Sequence, residues 1–379
     1  MGDKDNPYSA TRRSFVAGTG LVASTGLGIL NFSDLQVRSS RTPTKRMPQY
    51  RSDGEVSQWK EVPKAWYSHL ENARRAKAKF NDQFLNQYGI LETGLIRSEE
   101  STYGGKNGFK IEPVISPNSK VNIPESIRGI QIEVNIKEPP LVTPDIHGCV
   151  NVGNFDPCPG GVNTFDTSYS DLPCTTGYPV SDTYGVIHLV TAAHCFGYNC
   201  SITDGDDVYQ EDDNFGTIRG DASDSQADVA VVIPDGDSSA KSAIREPDDT
   251  VRDVDGSATK DNICDRASRL FDGHSKVGVT TEKTTGGIGK CEITRDDCPS
   301  LKGEGFRCSH DAAGGDSGGP HYSIQSDGEA FVLGHHWGSD NKKDETEDCH
   351  GSRKVKDISY AMPAYWLENN TQFYVPSYY

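Results

Sequence analysis

Ser317 lies in the run Gly315-Asp316-Ser317-Gly318-Gly319-Pro320, and His194 in Thr191-Ala192-Ala193-His194-Cys195. A serine hydroxyl is a weak nucleophile until a base takes its proton, and the base needs an acid to orient it. Glycine before Ser317 permits a sharp bend that turns two backbone N–H groups toward one point, where they can stabilise a tetrahedral oxyanion. The amides of Gly315 and Ser317 are the candidate donors. His194 follows the apolar run Val186-Ile187-His188-Leu189-Val190, and a strand end there would hold a general base against the serine. The acid is sought between the two segments. Asp228 opens Val229-Ala230-Val231-Val232, the most apolar run in that interval, whereas most other acids there sit in Asp/Gly/Ser-rich stretches and read as solvated. Asp221 and Asp224 are its rivals. The chemistry these groups would support is acyl transfer through a covalent serine intermediate.

In order and motif, His194, Asp228 and Ser317 resemble the catalytic segments of trypsin-like serine proteases of the chymotrypsin family. The chain is most similar to the prokaryotic streptogrisin and α-lytic type. Pro159-Gly160-Gly161-Val162 resembles the start of that domain, and Cys174-Thr175-Thr176-Gly177-Tyr178-Pro179-Val180 its Cys-x-x-Gly-aromatic-x-Val strand. The 34-residue gap from His194 to Asp228, and Tyr360-Ala361-Met362-Pro363 leading to Tyr374-Val375, are similar as well. The resemblance covers about residues 155–379.

It implies a mainly β fold of two antiparallel six-stranded β-barrels with the three groups in the cleft between them. It implies an exported serine endopeptidase that cleaves peptide bonds through an acyl-enzyme on Ser317, acts on protein or peptide substrates and needs no cofactor. The alternative is a silent version of the fold kept as a binding module. Two disulfides follow from the resemblance, Cys174–Cys195 beside the His segment and Cys308–Cys349 beside the substrate pocket. His336, Trp337 and Gly338 resemble the Ser-Trp-Gly strand that holds substrate backbone, with His in place of Ser. Counting six residues back from Ser317 gives Asp311, the position that selects basic side chains in trypsin. No Ile-Val-Gly-Gly start occurs, so activation is expected to follow a pro-region route.

The elements that must position these groups are short. From residue 149 onward, apolar runs such as Val186 to Val190, Val229 to Ile233 and Ala330 to Leu333 alternate with Gly/Asp/Ser/Pro clusters, the spacing of a barrel or sandwich. Pro363 to Glu368 is a short helix candidate. Before 149 the pattern differs. Residues 64–88 carry Trp66, Leu70, Ala73, Phe80, Phe84 and Tyr88 on one helical stripe ended by Gly89. Alternation around Phe109 to Glu112 and Ile130 to Ile136 reads as strands. The organisation is therefore a signal segment (1–32), a linker (33–63), a small α+β pro-region or accessory domain (64–148) and a protease-like domain (149–379).

Charge divides the chain at the same place. Residues 1–148 carry 16 acidic and 20 basic side chains, and residues 149–379 carry 39 and 18, giving the net −17. Such acidity argues against nucleic-acid binding and suits solubility in high salt. All 10 cysteines lie beyond 148 without paired CxxC motifs, which favours disulfides and an oxidising compartment over a zinc ribbon. Thr11-Arg12-Arg13-Ser14-Phe15 before a weakly apolar run resembles a twin-arginine export signal, so the protein is expected to meet the twin-arginine machinery and reach the cell surface or exterior as a monomer. The stretch 204–213 is acidic but lacks calcium-loop spacing. His310, His335, His336 and His350 match no metalloprotease motif and read as incidental clustering, with no metal expected.

Overall fold

The computed structural model describes residues 42–137, 150–166, 170–196, 204–211, 213–219, 227–270, 272–295, 304–339, 344–348, 351–355 and 358–377. The signal segment, Asp221, Asp224, His350 and four cysteines (149, 200, 298 and 349) lie outside them.

Strand formation from residue 163 follows the alternation of the sequence. Strands β5 (Asn163–Asp166), β6 (Ser170–Thr175), β7 (Pro179–Ser181), β8 (Ile187–Thr191), β9 (Asp207–Gln210), β10 (Asp213–Ile218) and β11 (Ala230–Pro234) form one sheet. Among the strands that precede them are β1 (Thr44–Ser52), β2 (Glu55–Pro63), β3 (Ile90–Tyr103) and β4 (Lys106–Ile115), with helix α1 (Lys64–Phe80) between β2 and β3. The sheet order is β6-β5-β9-β10-β11-β8-β7. Successive side chains of a strand point to opposite faces, and β8 and β11 use both. Leu189, Ala230 and Val232 enter one core with Val208, Phe215 and Phe196. Val190, Val229 and Val231 enter a second core with Tyr178, Val277, Tyr322 and Val332. Leu189 pairs with Val232 and Thr191 with Ala230 in the antiparallel register.

The second half contains β12 (Val251–Ala258), α2 (Lys260–Ala267), β13 (Gly273–Gly278), β14 (Glu282–Arg295), β15 (Gly305–Cys308), β16 (Pro320–Ile324), β17 (Ala330–Ser339), β18 (Ser359–Pro363) and α3 (Ala364–Asn370). Here six strands close on themselves, in the order β17-β16-β13-β14-β15-β18 and back to β17. The fold is thus mainly β and chymotrypsin-like, with one closed six-stranded barrel. The first half departs from the expected second closed barrel. It is a curled seven-stranded sheet whose end strands do not pair with each other among the described residues.

The segment read as a linker is strand from Thr44 onward, because β1 and β2 form a hairpin and β1 pairs with β12. The chain before residue 138 also shares a core with the closed barrel. Met47, Trp66, Leu70, Ala73, Phe80, Leu95 and Phe109 pack with Ile263, Ile288, Phe306, Phe331 and Tyr365. β3 pairs with β14, so the sheet continues from the barrel into this region. Lys290 on β14 is wholly buried, 2.7 Å from Glu92 and 3.0 Å from Glu112 on β3 and β4. Thr42–Tyr379 forms one compact unit.

Two other expectations change. α1 ends at Phe80 and passes into a π-helical turn, Asn81–Leu85. That turn stops at Leu85, so Tyr88 lies beyond it in a turn and is 90% exposed, while Trp66 and Leu70 are fully buried. The alternation at 130–136 yields only the short strands Ile130–Gln131 and Asn135–Ile136. No helix among the described residues is long and apolar enough to cross a membrane.

Candidate active site

β8 ends at Thr191 and the chain enters a short turn, Ala193–Cys195, that carries His194. Cys195 is bonded to Cys174 at the end of β6, which ties this turn to the neighbouring strand. Asp228 sits just before β11 with a left-handed φ of 52° and is 1% exposed. Its carbonyl accepts from Ala193 N at 3.2 Å and from His335 Nε2 at 2.9 Å. Its carboxylate grips His194 twice. Oδ1 accepts from the His194 amide at 2.8 Å, and Oδ2 accepts from Nδ1 at 2.7 Å. With Nδ1 protonated, Nε2 of the neutral ring accepts from Ser317 Oγ at 2.8 Å.

Electrostatics support that arrangement. Burial opposes protonation of His194, but the adjacent Asp228 charge and its hydrogen bond outweigh burial, and the pKa rises above the ordinary histidine value. The ring can therefore take a proton and hold it.

The serine turn is fixed by glycine and by Asp316. Gly315 has φ +92° and Gly318 φ +88°, and a Cβ on Gly318 would lie 2.1 Å from Thr175 O. The amides of Gly315 and Ser317 have no acceptor among the described residues, while those of Asp316, Gly318 and Gly319 do. Unengaged amides on either side of a nucleophile are the donor pair an oxyanion requires. Asp316 is wholly buried. It accepts from Lys276 Nζ at 2.7 Å, from Thr281 Oγ1, and from the amides of Thr280, Thr281 and Ala313 at 3.0–3.1 Å. The buried charge of Asp316 is thus met by a cation from within the chain. The sequence carried no local sign of this role for Lys276, which lies 40 residues from Asp316.

β17 runs along the serine turn. The Gly318 amide donates to His336 O at 2.8 Å, and the His336 amide donates to Gly319 O at 2.7 Å. Trp337 packs edge-on against Tyr360 with the Arg295 guanidinium over its ring. Gly338 pairs with Tyr360 of β18, and a Cβ there would meet nothing. Asp311 is exposed on the loop before Ala312, and its carbonyl lies 3.4 Å from Thr281 Oγ1. His335 was read only as part of a histidine cluster; its ring buttresses Asp228 from behind.

The disulfide expectations divide. Cys308 carries a free, buried thiol 3.2 Å from Ser359 Oγ, and its expected partner Cys349 lies outside the described residues. A bond that was not anticipated, Cys264–Cys291, joins α2 to β14. Cys308 instead faces His321, and with His274 and His310 forms a buried cluster of four.

No protein-family profile matches the chain, and no curated protein matches it. Among solved structures it is similar to Thermobifida fusca Protease A, at 20% identity and TM-score 0.40 over 58% of this chain and 98% of that one. It is likewise similar to a glutamic acid specific serine protease described as using a novel histidine triad in substrate binding, at 20% and 0.42 over 58% and 99%. Nocardiopsis Protease (NAPase) is similar at 19% and 0.41 over 59% of this chain and all of that one.

Proposed function

We propose that this chain is an exported serine endopeptidase. The observation that carries the reading is the unbroken contact from Asp228 through His194 to Ser317, at 2.7 and 2.8 Å. His194 Nε2 takes the Ser317 proton as Oγ attacks a peptide carbonyl. The oxyanion is received by the amides of Gly315 and Ser317. Collapse expels the amine, which takes the proton from His194 and leaves an acyl-enzyme ester. Water then attacks that ester, with His194 first accepting and then returning a proton to Oγ. Substrate backbone lies along His336, Trp337 and Gly338 as an added strand.

Export by the twin-arginine route fits the Arg12-Arg13 signal and the two disulfides among the described residues. Asp311 supports a preference for basic side chains. A second reading of the pocket is an acidic side chain, because His336 is 2% exposed with an unpartnered Nδ1 beside the serine turn. Reporter peptides ending in Arg, Phe and Glu separate the two. We also propose that residues 42–137 stay with the enzyme as an accessory part, since they share a core with the closed barrel.

A fluorophosphonate label tests the central reading. Labelling of the wild type and its loss in Ser317→Ala is the expected result. An unlabelled but folded wild type would instead make this a binding module.

A further inference from the structure

We propose that His274, Cys308, His310 and His321 form a closed, four-coordinate site for a divalent transition metal of the zinc class. His274 lies on β13, Cys308 at the end of β15, His310 just after it and His321 on β16. Their four candidate ligand atoms lie within 4.8 Å of one another, and none of the residues is more than 2% exposed. Nε2 of His274 is 3.0 Å from Nε2 of His310 and 3.2 Å from Nδ1 of His321. Sγ of Cys308 is 3.8 Å from that same Nδ1. Bonds of about 2.0 Å to nitrogen and about 2.3 Å to sulfur in a tetrahedron put ligand atoms roughly 3.3–3.6 Å apart. The observed spacings bracket that range.

Hydrogen bonding alone does not satisfy the cluster. His274 Nε2 holds either one proton or one lone pair, yet it faces two nitrogens at hydrogen-bond distance. One contact is always left without a proper donor and acceptor. A cation at the common point satisfies all four atoms together. One outer contact suits it: His310 Nδ1 donates to Thr284 Oγ1 at 3.1 Å, which leaves its Nε2 lone pair aimed inward. Three imidazoles and one thiolate are a donor set that zinc accepts. Binding displaces one proton, from the Cys308 thiol, to solvent.

The placement gives the metal a purpose. Cys308 and His321 bracket the segment that holds Asp316, Ser317 and both oxyanion amides. The metal would fasten its two ends to β13.

The test uses the full chain carrying Ser317→Ala, so that self-cleavage and peptidase activity play no part. After chelation it is titrated with Zn(II) and Co(II). The expected result is one equivalent bound, an intense four-coordinate Co(II) spectrum with a thiolate charge-transfer band, and a Tm that rises with zinc. Cys308→Ser abolishes that band, and Thr284→Val weakens affinity about 10-fold with the fold kept. Two results overturn the proposal. One is a folded protein by circular dichroism that binds no equivalent of either metal. The other is a Co(II) complex without a thiolate band, or one unchanged in His274→Ala. If a variant fails to fold, the wild-type thiolate band decides alone.

Discussion

His194 works as a base only while neutral, and its pKa fixes where that begins. Burial disfavours the charged ring, but Asp228 more than offsets it. Activity as kcat/KM therefore rises with pH through a midpoint above the ordinary histidine value of 6.5. Asp228→Asn removes the charge, so the midpoint falls and kcat drops by about 10^4. A pH–rate profile of both proteins checks this, and an unmoved midpoint counts against Asp228 as the orienting acid. Lys276→Met leaves the Asp316 carboxylate buried without its cation. The expected cost is about 3–5 kcal/mol in urea unfolding, with kcat lost more than KM because the oxyanion turn loosens. The triad was legible because each member sits in a short run that carries its own context. Lys276 and His335 were not, because what they do depends on contacts 40 and 107 residues away. The histidines around Cys308 were equally hidden, because His274 lies 34 residues before it and reaches it only through the pairing of β13 with β14 and β16.

At the scale of elements, β8 and β11 carry the site because each feeds two cores at once. Alternation in a strand of five residues is a clear signal when both faces are apolar, and these strands appear where the sequence places them. β3 was not foreseen because its second half, Arg97 to Thr102, is polar and gains its order from pairing with β4. α1 was overrun for a different reason, since Tyr88 keeps the period of the stripe but lies past Leu85, the last helical residue. Leu70 on α1 is fully buried among residues of both the N-terminal region and the barrel. Leu70→Ala should cost about 2–5 kcal/mol. One shared unfolding transition is expected by both tryptophan fluorescence and circular dichroism. An early separate melt of the N-terminal region would refute the shared core.

For the whole molecule, the continuity of the sheet from barrel to N-terminal strands has a direct reading in the mature protein. Removing residues 42–137 would bare the β12 and β14 edges and the apolar faces of Ile263, Ile288 and Phe306. N-terminal sequencing of the exported protein should therefore find a start before Thr44; a start beyond residue 137 would show a discarded pro-region. The acidic half sets a second expectation. Self-repulsion among 39 carboxylates against 18 cations is screened by salt, so Tm should rise with added salt, and an unchanged Tm in salt-free buffer would remove the salt-adaptation argument. Lys276 has one more consequence. Because the charge that sets the oxyanion turn comes from within the chain, turnover calls on no free terminal amine. A tag or fusion partner placed ahead of Thr42 should leave turnover intact, and blocking the terminal amine by acetylation should do the same.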